Sequence, residues 1–510
     1  MIKGFTPRLY QESILSTASA RNTLVVLPTG LGKTNIFLML AAQRLKTYPD
    51  SKILLIGPTR PLIDQYKEVF RKHFEITEDM MAVLTGMVPA EKRKEIWNNA
   101  TIIFSTPQGL ENDLLSGRIG LEAVALLGFD EAHRSVKEYS YVWIAKHYME
   151  TARFPRIIAM TASPGSDLEK IMEVCKNLYI EDIEVRTEND TDVKPYVQEV
   201  EISWVKVDLP PEFGLVKGLL QNSFQDKLEK VQAMGFLNGV AGLSKKDLLI
   251  LQAGMRSKLS ENKKNFPLLK AISALAEALK ISHALELLET QGITVLQKYI
   301  ERLREDAKAG KTKAALRLFS DTHFLEAVEK TEQLHEKGEE HPKIGELKRI
   351  IKENIADAKG AKAIVFNHYR DSAVKLQEEL NKIEGINSSV FVGQMKKGET
   401  GMSQKQQKKL VAGFAAGDFN VMVATSIGEE GLDIPKVDLV VFYEPIPSAI
   451  RQIQRRGRTG RQEKGKVIIL VTKDTRDEAF RWVAHHKEKR MHSILKTLKT
   501  RLKLTLAGQG

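Results

Sequence analysis

The stretch TLVVLPTGLGKTN, residues 23–35, decides the fold of this 510-residue chain. A short apolar run leads into a loop with two glycines, and a helical pattern follows at 35–46. Such a loop wraps a phosphate with backbone N–H groups at a helix N-terminus. In this pattern Lys33 reaches the β- and γ-phosphates, and the Thr34 hydroxyl binds Mg²⁺. Leu27 departs from the glycine or alanine that usually begins the motif. The predicted cofactor-binding residues are Pro28, Thr29, Gly30, Leu31, Gly32, Lys33 and Thr34.

A pair of acids marks a second element of the same site. Asp130 and Glu131 follow directly on the apolar run 123–129. Acids after a strand are usually solvated loop residues, but here a phosphate loop precedes them by about a hundred residues. In that context Asp130 is expected to hold Mg²⁺, and Glu131 to orient and deprotonate the attacking water. Together the two motifs predict hydrolysis of a nucleoside triphosphate.

Short apolar runs and helical patterns alternate at both ends of the chain. Runs buried on both faces are typical of parallel strands, and alternation with helices predicts doubly wound α/β layers. Between the two layers the pattern is helical, after one strand-like stretch at 200–207. The predicted class is α/β, with two parallel-sheet domains and a largely helical domain inserted between them. The expected divisions are a first layer at 1–200, a helical insertion at 201–335, a second layer at 336–503 and a loose tail at 504–510.

The charge balance restricts the partners. Lysine and arginine total 77 against 65 acids, a formal net charge of +12. This surplus favours a polyanion, either nucleic acid or an anionic membrane surface, although lysines also simply keep proteins soluble. The single cysteine, Cys175, excludes an intrachain disulfide. No apolar run is long enough to cross a bilayer. We therefore expect a cytoplasmic, intracellular protein that does not act at a membrane.

A dense arginine cluster stands near the end of the second layer. The sequence QIQRRGRTGR occupies residues 452–461. Arginines this close repel one another unless an anion lies among them. The cluster is either a basic surface loop or a set of arginine fingers that completes a nucleotide site across a cleft. The second layer has no phosphate loop of its own, which favours the interpretation as arginine fingers.

These motifs, in this order, resemble a superfamily 2 helicase core with two RecA-like domains. The matching segments are 8–11 (adenine-reading element), 28–34 (motif I), 58–60 (Ia), 105–108 (Ib), 130–133 (II), 161–163 (III), 364–370 (IV), 424–433 (V) and 454–461 (VI). The match covers both α/β layers. The resemblance implies an ATPase that uses Mg²⁺ and grips nucleic acid without sequence specificity, because backbone contacts carry no base information.

The resemblance also implies roles for individual residues. Gln11 would read the adenine. Gly431 and Asp433 would also contact the nucleotide. Gln454, Arg458 and Arg461 would have catalytic roles. The residues implied to couple nucleotide state to domain movement are His133, Thr161 and Ser163. Contacts to the sugar-phosphate backbone are implied for Thr59, Arg60, Thr106 and Thr425.

With its helical insertion, the chain resembles in particular the archaeal Hef/FANCM group, whose members remodel forked and branched DNA. The motif sequences DEAHRS (130–135) and ATSIGEEGLDIP (424–435) favour this group. RIG-I-like and Dicer-type ATPases, which bind double-stranded RNA, share the layout and remain the alternative. The expected function is an ATP-dependent DNA helicase or translocase for forked or branched DNA in replication-fork repair. Archaeal Hef also bears a nuclease domain, for which no motif precedes Gly510. Insertion lysines expected to contact nucleic acid are Lys245, Lys246, Lys263 and Lys264.

Overall fold

The computed structural model describes residues 2–165, 167–188, 190–196, 200–240, 242–261, 265–358, 360–393, 401–425, 437–445 and 465–479, with 486, 489–491, 493–495 and 497. Within them the chain forms two parallel sheets and a helical bundle. This architecture confirms the predicted fold class. No helix in this part of the chain is long and apolar enough to cross a membrane.

The first layer is a seven-stranded sheet in the order β3-β4-β2-β5-β6-β1-β7, parallel throughout. Its strands are β1 (Thr23–Val26), β2 (Lys52–Ile56), β3 (Met81–Leu84), β4 (Ile102–Ser105), β5 (Val124–Asp130), β6 (Ile157–Thr161) and β7 (Asp182–Val185). Its helices are α1 (Leu9–Ala20), α2 (Lys33–Thr47), α3 (Arg60–His73), α4 (Ala90–Asn99), α5 (Pro107–Leu115), α6 (Ser140–Thr151) and α7 (Leu168–Asn177). Every residue of β5 is buried, as expected of a strand covered on both faces.

The helical bundle follows in the sequence. It consists of α8 (Pro211–Ala233), α9 (Lys245–Glu261), α10 (Phe266–Thr290), α11 (Ile293–Lys308), α12 (Lys313–Leu318) and α13 (Thr322–Glu336). Two apolar clusters hold it together, and α8 and α10 contribute to both.

The second layer is a six-stranded parallel sheet in the order β10-β11-β9-β12-β13-β8. It contains β8 (Val200–Val207), α14 (Pro342–Ile351), β9 (Ala363–Phe366), α15 (Arg370–Leu380), β10 (Ser388–Phe391), α16 (Gln404–Ala416), β11 (Val421–Ala424), β12 (Leu439–Phe442) and β13 (Gly465–Thr472).

The strand β8 corrects the expected division of the chain. We had assigned residues 201–207 to the helical insertion, but β8 pairs with β13 along its whole length, from Val200 opposite Gly465 to Val207 opposite Thr472. The pairing was missed because a partner so distant in sequence leaves no local pattern. The helices of the insertion begin only at Pro211.

The C-terminal helical residues contact the first layer. Met491 and Leu495 are fully buried in the apolar cluster on one face of the first sheet. Cys175 packs against the same cluster, and burial raises the pKa of its thiol to about 12. The thiol is therefore a protonated, apolar packing group.

Candidate active site

The phosphate loop lies at the carboxyl end of β1 and opens α2. Gly30 and Gly32 have φ angles of 85° and 79°, the left-handed region that favours glycine. Gly32 is the N-cap residue of α2, and no side chain caps this end of the helix. The first N–H groups of α2 are therefore available to a phosphate, as the motif predicts.

Helix α1 holds the outside of this loop. The Tyr10 hydroxyl donates to the Leu31 carbonyl at 2.7 Å, and Gln11 Nε2 donates to the same oxygen at 3.2 Å. Gln11 Oε1 accepts from the Arg8 backbone N–H at 3.0 Å. A Cβ atom on Gly32 would collide with the Gln11 amide nitrogen. Gln11 thus lies against the phosphate loop, and its amide group contacts the backbone of both α1 and the loop.

Asp130 ends β5 and is 2% exposed. Burial and the neighbouring Glu131 raise the pKa of the Asp130 carboxyl to about 7, against Lys33 and Tyr66, which lower it. Tyr66, from α3, lies beside both Asp130 and Thr34. Sequence reasoning missed Tyr66, because a tyrosine at core spacing on a helix carries no functional signal.

The same residues provide a test of whether a divalent cation fits. Asp130 Oδ1 is buried and has no hydrogen-bond partner among the described residues. A buried, unpaired carboxylate oxygen is unfavourable unless a cation neutralises it. Tyr66 lies beside both this carboxyl and Thr34. Carboxylate and hydroxyl oxygens are the ligands that Mg²⁺ prefers, so the donor set fits.

Glu131 has a strained backbone. Its φ and ψ are 50° and 48°, a left-handed conformation for a residue with a side chain. Such strain costs of order 1–3 kcal/mol and is commonly found at active sites. The left-handed conformation turns the chain directly after β5. Asp130 therefore belongs to the strand, whereas Glu131 belongs to the turn that follows it.

The predicted coupling residues form one chain of contacts. His133 Nδ1 lies 3.3 Å from Glu131 Oε2 and 3.1 Å from Thr161 Oγ1. The Thr161 hydroxyl oxygen also accepts from the Ser163 N–H at 3.1 Å. Ser163 Oγ in turn donates to Met491 Sδ at 2.7 Å. The structure thus links Glu131 through the end of β6 to the C-terminal helical residues.

The predicted backbone-contacting residues of the first layer begin two helices. Thr59 is the N-cap residue of α3 and Thr106 that of α5, and neither helix start is capped by a side chain. These helices follow β2 and β4, which are neighbours in the sheet. Two open helix N-termini side by side suit a phosphate backbone.

Arg60 opens α3 beside Thr59 and is held by two contacts. Its Nη1 donates to Met87 Sδ at 2.6 Å, and its Nε lies 3.8 Å from Asp64. Asp64 also accepts from Lys408 of α16 at 2.6 Å. An ion pair between the two layers therefore lies next to this predicted nucleic-acid contact.

In the second layer, Thr425 follows β11 and is buried, with its N–H bonded to the Phe391 carbonyl at 3.0 Å. The remaining second-layer predictions lie outside the described residues: Gly431, Asp433, Gln454, Arg458 and Arg461. Lys263 and Lys264 of the insertion also lie outside them.

Lys245 has a partner that the sequence did not indicate. It donates to Glu286 of α10 at 2.8 Å, and the Tyr369 hydroxyl donates to the same carboxylate at 2.9 Å. Burial raises the pKa of the Glu286 carboxyl, but the nearby His283, Lys245 and Tyr369 side chains outweigh it and lower the pKa overall. Lys246 is exposed. Lys245 is therefore part of a junction between the insertion and motif IV.

The end of α10 is fixed to the second layer by buried polar contacts. Gln291 Oε1 accepts from Asn367, the residue after β9, at 3.1 Å, and Gln291 Nε2 donates to Glu444 after β12. The fully buried Lys343 of α14 pairs with Asp477 nearby. Breaking buried polar pairs of this kind costs several kcal/mol. The insertion is thus anchored to the second layer.

Family models match the chain in three parts. The DEAD/DEAH box helicase model matches residues 8–171, the RNA helicase helical-bundle model 212–338, and the helicase conserved C-terminal domain model 343–463. With the phosphate loop, the acid pair and the two parallel sheets, these matches define an ATP-using superfamily 2 helicase core.

A solved structure identifies the family. The chain is 48% identical to the Hef helicase domain of Pyrococcus furiosus, with a TM-score of 0.69, over 94% of this chain and 98% of that one. It therefore belongs to the Hef/FANCM-type helicases.

Curated relatives agree with this assignment. The helicase MJ1505 of Methanocaldococcus jannaschii, whose name describes an ATP-dependent RNA helicase, is 40% identical over 97% of this chain and 61% of its own length. The ATP-dependent DNA helicase mph1 of Neurospora crassa is 34% identical over 93% of this chain and 41% of its own. The chain thus spans about two fifths to three fifths of these relatives.

Proposed function

We propose that the chain is an ATP-dependent DNA helicase or translocase that acts on forked or branched DNA in fork repair. One observation carries the proposal. The nucleotide elements follow the neighbouring strands β5, β6 and β1, while the open starts of α3 and α5 follow β2 and β4 at the same edge. Nucleotide and backbone sites on one sheet edge allow a change at the first to move the second.

The first-layer residues have distinct roles in the proposed reaction. Lys33 and the N–H groups of α2 bind the phosphates, and Thr34 and Asp130 would hold Mg²⁺. When bound, that ion neutralises charge that develops on the phosphates. Glu131 orients water and accepts its proton on a carboxylate oxygen. His133 carries the change at Glu131 to Thr161 and Ser163.

Residues of the second layer and of the insertion complete the proposed nucleotide and nucleic-acid sites. Arg458 and Arg461 act as fingers on transition-state charge, with Gln454, Gly431 and Asp433 lining the nucleotide. Thr425 joins Thr59, Arg60 and Thr106 on the backbone. The insertion, from α8 to α13, recognises the branch, with Lys246, Lys263 and Lys264 on the nucleic acid and Lys245 at its junction with motif IV.

RNA is the alternative substrate, and two observations favour it: the family model over the bundle describes RNA helicases, and MJ1505 is named as one. Relatives named as DNA helicases, among them mph1, favour DNA. We therefore retain DNA as the proposed substrate.

ATPase rates at fixed salt test the proposal. Single-stranded, duplex and forked DNA and duplex RNA would each be titrated, and we expect forked DNA to stimulate turnover most. The variant Lys33→Ala should lose ATP turnover but still bind the fork, because other residues bind the DNA. Greater stimulation by duplex RNA would refute the DNA assignment, and turnover retained without Lys33 would refute the phosphate loop.

A further inference from the structure

The helical bundle contains a cleft of about 580 Å³, away from the nucleotide site. It lies between α8, α10 and the turn that leads into α13. Residues that line it include Lys230, Met234, Lys270, Ala274, Arg317 and Thr322. None of these residues was selected from the sequence.

The floor of the cleft carries three acids and one lysine. Lys227, whose side chain is 5% exposed, lies 2.6 Å from Asp321 and 3.5 Å from Glu277. Asp226 contacts His323 at 3.2 Å. Asp321 also accepts from the Phe324 N–H at 2.9 Å and caps α13. Each acid therefore has a polar neighbour inside the protein, but the floor as a whole keeps a net negative charge.

The rim, in contrast, is lined by three cations. Lys230 and Lys270 are exposed and form no ion pair in the part of the chain that the structure describes. The Arg317 side chain is 52% exposed and lies 3.8 Å from Glu277, which Lys227 also contacts. Together with Lys227, these cations exceed the three acids of the cleft by one, and the excess lies on the rim, where it attracts an anion.

An exposed aromatic ring lies next to this rim. Phe266 begins α10 and is 71% exposed. Lys270 follows it by one helical turn, so both occupy the same face of α10. A positive groove beside an exposed ring is the combination that binds single strands, because phosphates pair with the cations and an unpaired base stacks on the ring.

We propose that this cleft binds the phosphodiester backbone of an unpaired strand next to a DNA branch, with Lys230, Lys270 and Arg317 on the phosphates and Phe266 against a base. The proposal rests on the proposed function, and it names the part of the substrate that the insertion reads. A fully paired duplex offers no free base to Phe266, so unpaired strands should gain more from the cleft.

Salt-dependent binding tests the phosphate contacts. Affinity for a fork with single-stranded arms would be measured against salt for wild type and for Lys230→Gln with Lys270→Gln. Each single-strand phosphate contact contributes about 0.7 to the salt slope, so the double variant should lose about 1.4. At 0.1 M salt this corresponds to affinity lower by about 25-fold. The matched control, Lys298→Gln with Lys308→Gln on exposed positions of α11, should keep the wild-type slope.

A second variant tests the ring. Phe266→Ala should weaken single-strand binding by at least about 5-fold, leave the salt slope unchanged and leave binding to blunt duplex unchanged. Equal losses on duplex and single strand would overturn the stacking role. Slopes for the lysine variant equal to those of its control would overturn the phosphate role, as would inorganic phosphate displacing the strand at micromolar concentration. A wild type that binds no DNA would instead refute the proposed function.

Discussion

The burial of Asp130 should make the nucleotide-free protein less stable than its neutral variant. Burial and Glu131 raise the pKa of this carboxyl from an ordinary 3.8 to about 7. Each pKa unit corresponds to about 1.4 kcal/mol, so the ionised carboxylate lowers the free energy of unfolding by on the order of 4 kcal/mol at pH 8. Asp130→Asn keeps the shape and removes the charge. It should therefore be more stable, and it should lose ATP turnover because the Mg²⁺ ligand is gone.

The sign of the pH dependence follows from proton binding. Between pH 3.8 and 7 the folded state holds a proton on Asp130 that the unfolded state releases, so wild-type stability falls as the pH rises through this range. Well above pH 7 both states are ionised and the penalty is constant. The stability gap between Asp130→Asn and wild type should thus widen by on the order of 2–3 kcal/mol from pH 5 to pH 8 and then level off.

Thermal or urea unfolding of both proteins without nucleotide, from pH 5 to pH 8.5, measures this gap. Other titrating groups are common to both proteins and cancel in the difference. Added Mg²⁺ should stabilise wild type more than the variant, because only the carboxylate binds the ion strongly. A stability gap that does not change with pH would refute the raised pKa. A variant less stable than wild type at pH 8 would refute the assigned cost of burial.

Three further changes test other parts of the site. Gly32→Ala should raise the KM for ATP, because the added Cβ displaces Gln11. Gly30→Ala is the control, because the φ of Gly30 is also positive but no atom lies within 4 Å of an added Cβ. Equal KM values in both variants would contradict the role of Gln11. Tyr369→Phe removes a hydrogen bond to the Glu286 carboxylate, so it should lower the free energy of unfolding by about 1.5–3 kcal/mol at pH values above the ordinary pKa of Glu286. The loss should shrink in acid, as Glu286 protonates. A loss that does not change with pH in the unfolding curves would contradict this. Arg458→Ala should keep ATP affinity but slow single-turnover hydrolysis by about 10³–10⁵-fold, and a loss confined to DNA affinity would instead indicate a surface loop.

Local patterns in the sequence predicted the first-layer nucleotide elements. The phosphate loop and Asp130 follow apolar strands, and the carboxyl ends of parallel strands meet at one edge of a sheet. These elements depend on their own strands and need no knowledge of distant contacts. Thr59 and Thr106 came instead from the resemblance to motifs Ia and Ib, and in the structure each directly precedes a helix.

The sequence could not predict features that depend on distant partners. Tyr66 reaches Asp130 only because α3 packs on the sheet against β3 and β4. Lys245 meets Glu286 only because two helices of the bundle lie side by side. Lys230 and Lys270 look like ordinary solvated lysines until the fold places them around one cleft. A single sequence records charge and spacing along the chain but not which surfaces face each other.

The placement of β8 determines the order in which the chain can complete its fold during synthesis. All strands of the first sheet lie between residues 23 and 185, so this layer can close early on the ribosome. Strand β8 emerges next, but its partner β13 ends only at Thr472. Until then β8 is an edge without a neighbour, and such edges pair with other chains. Nascent chains stalled, or proteins cleaved, between the bundle and Gly465 should therefore aggregate more than a fragment that ends before Val200, which does not contain the β8 edge.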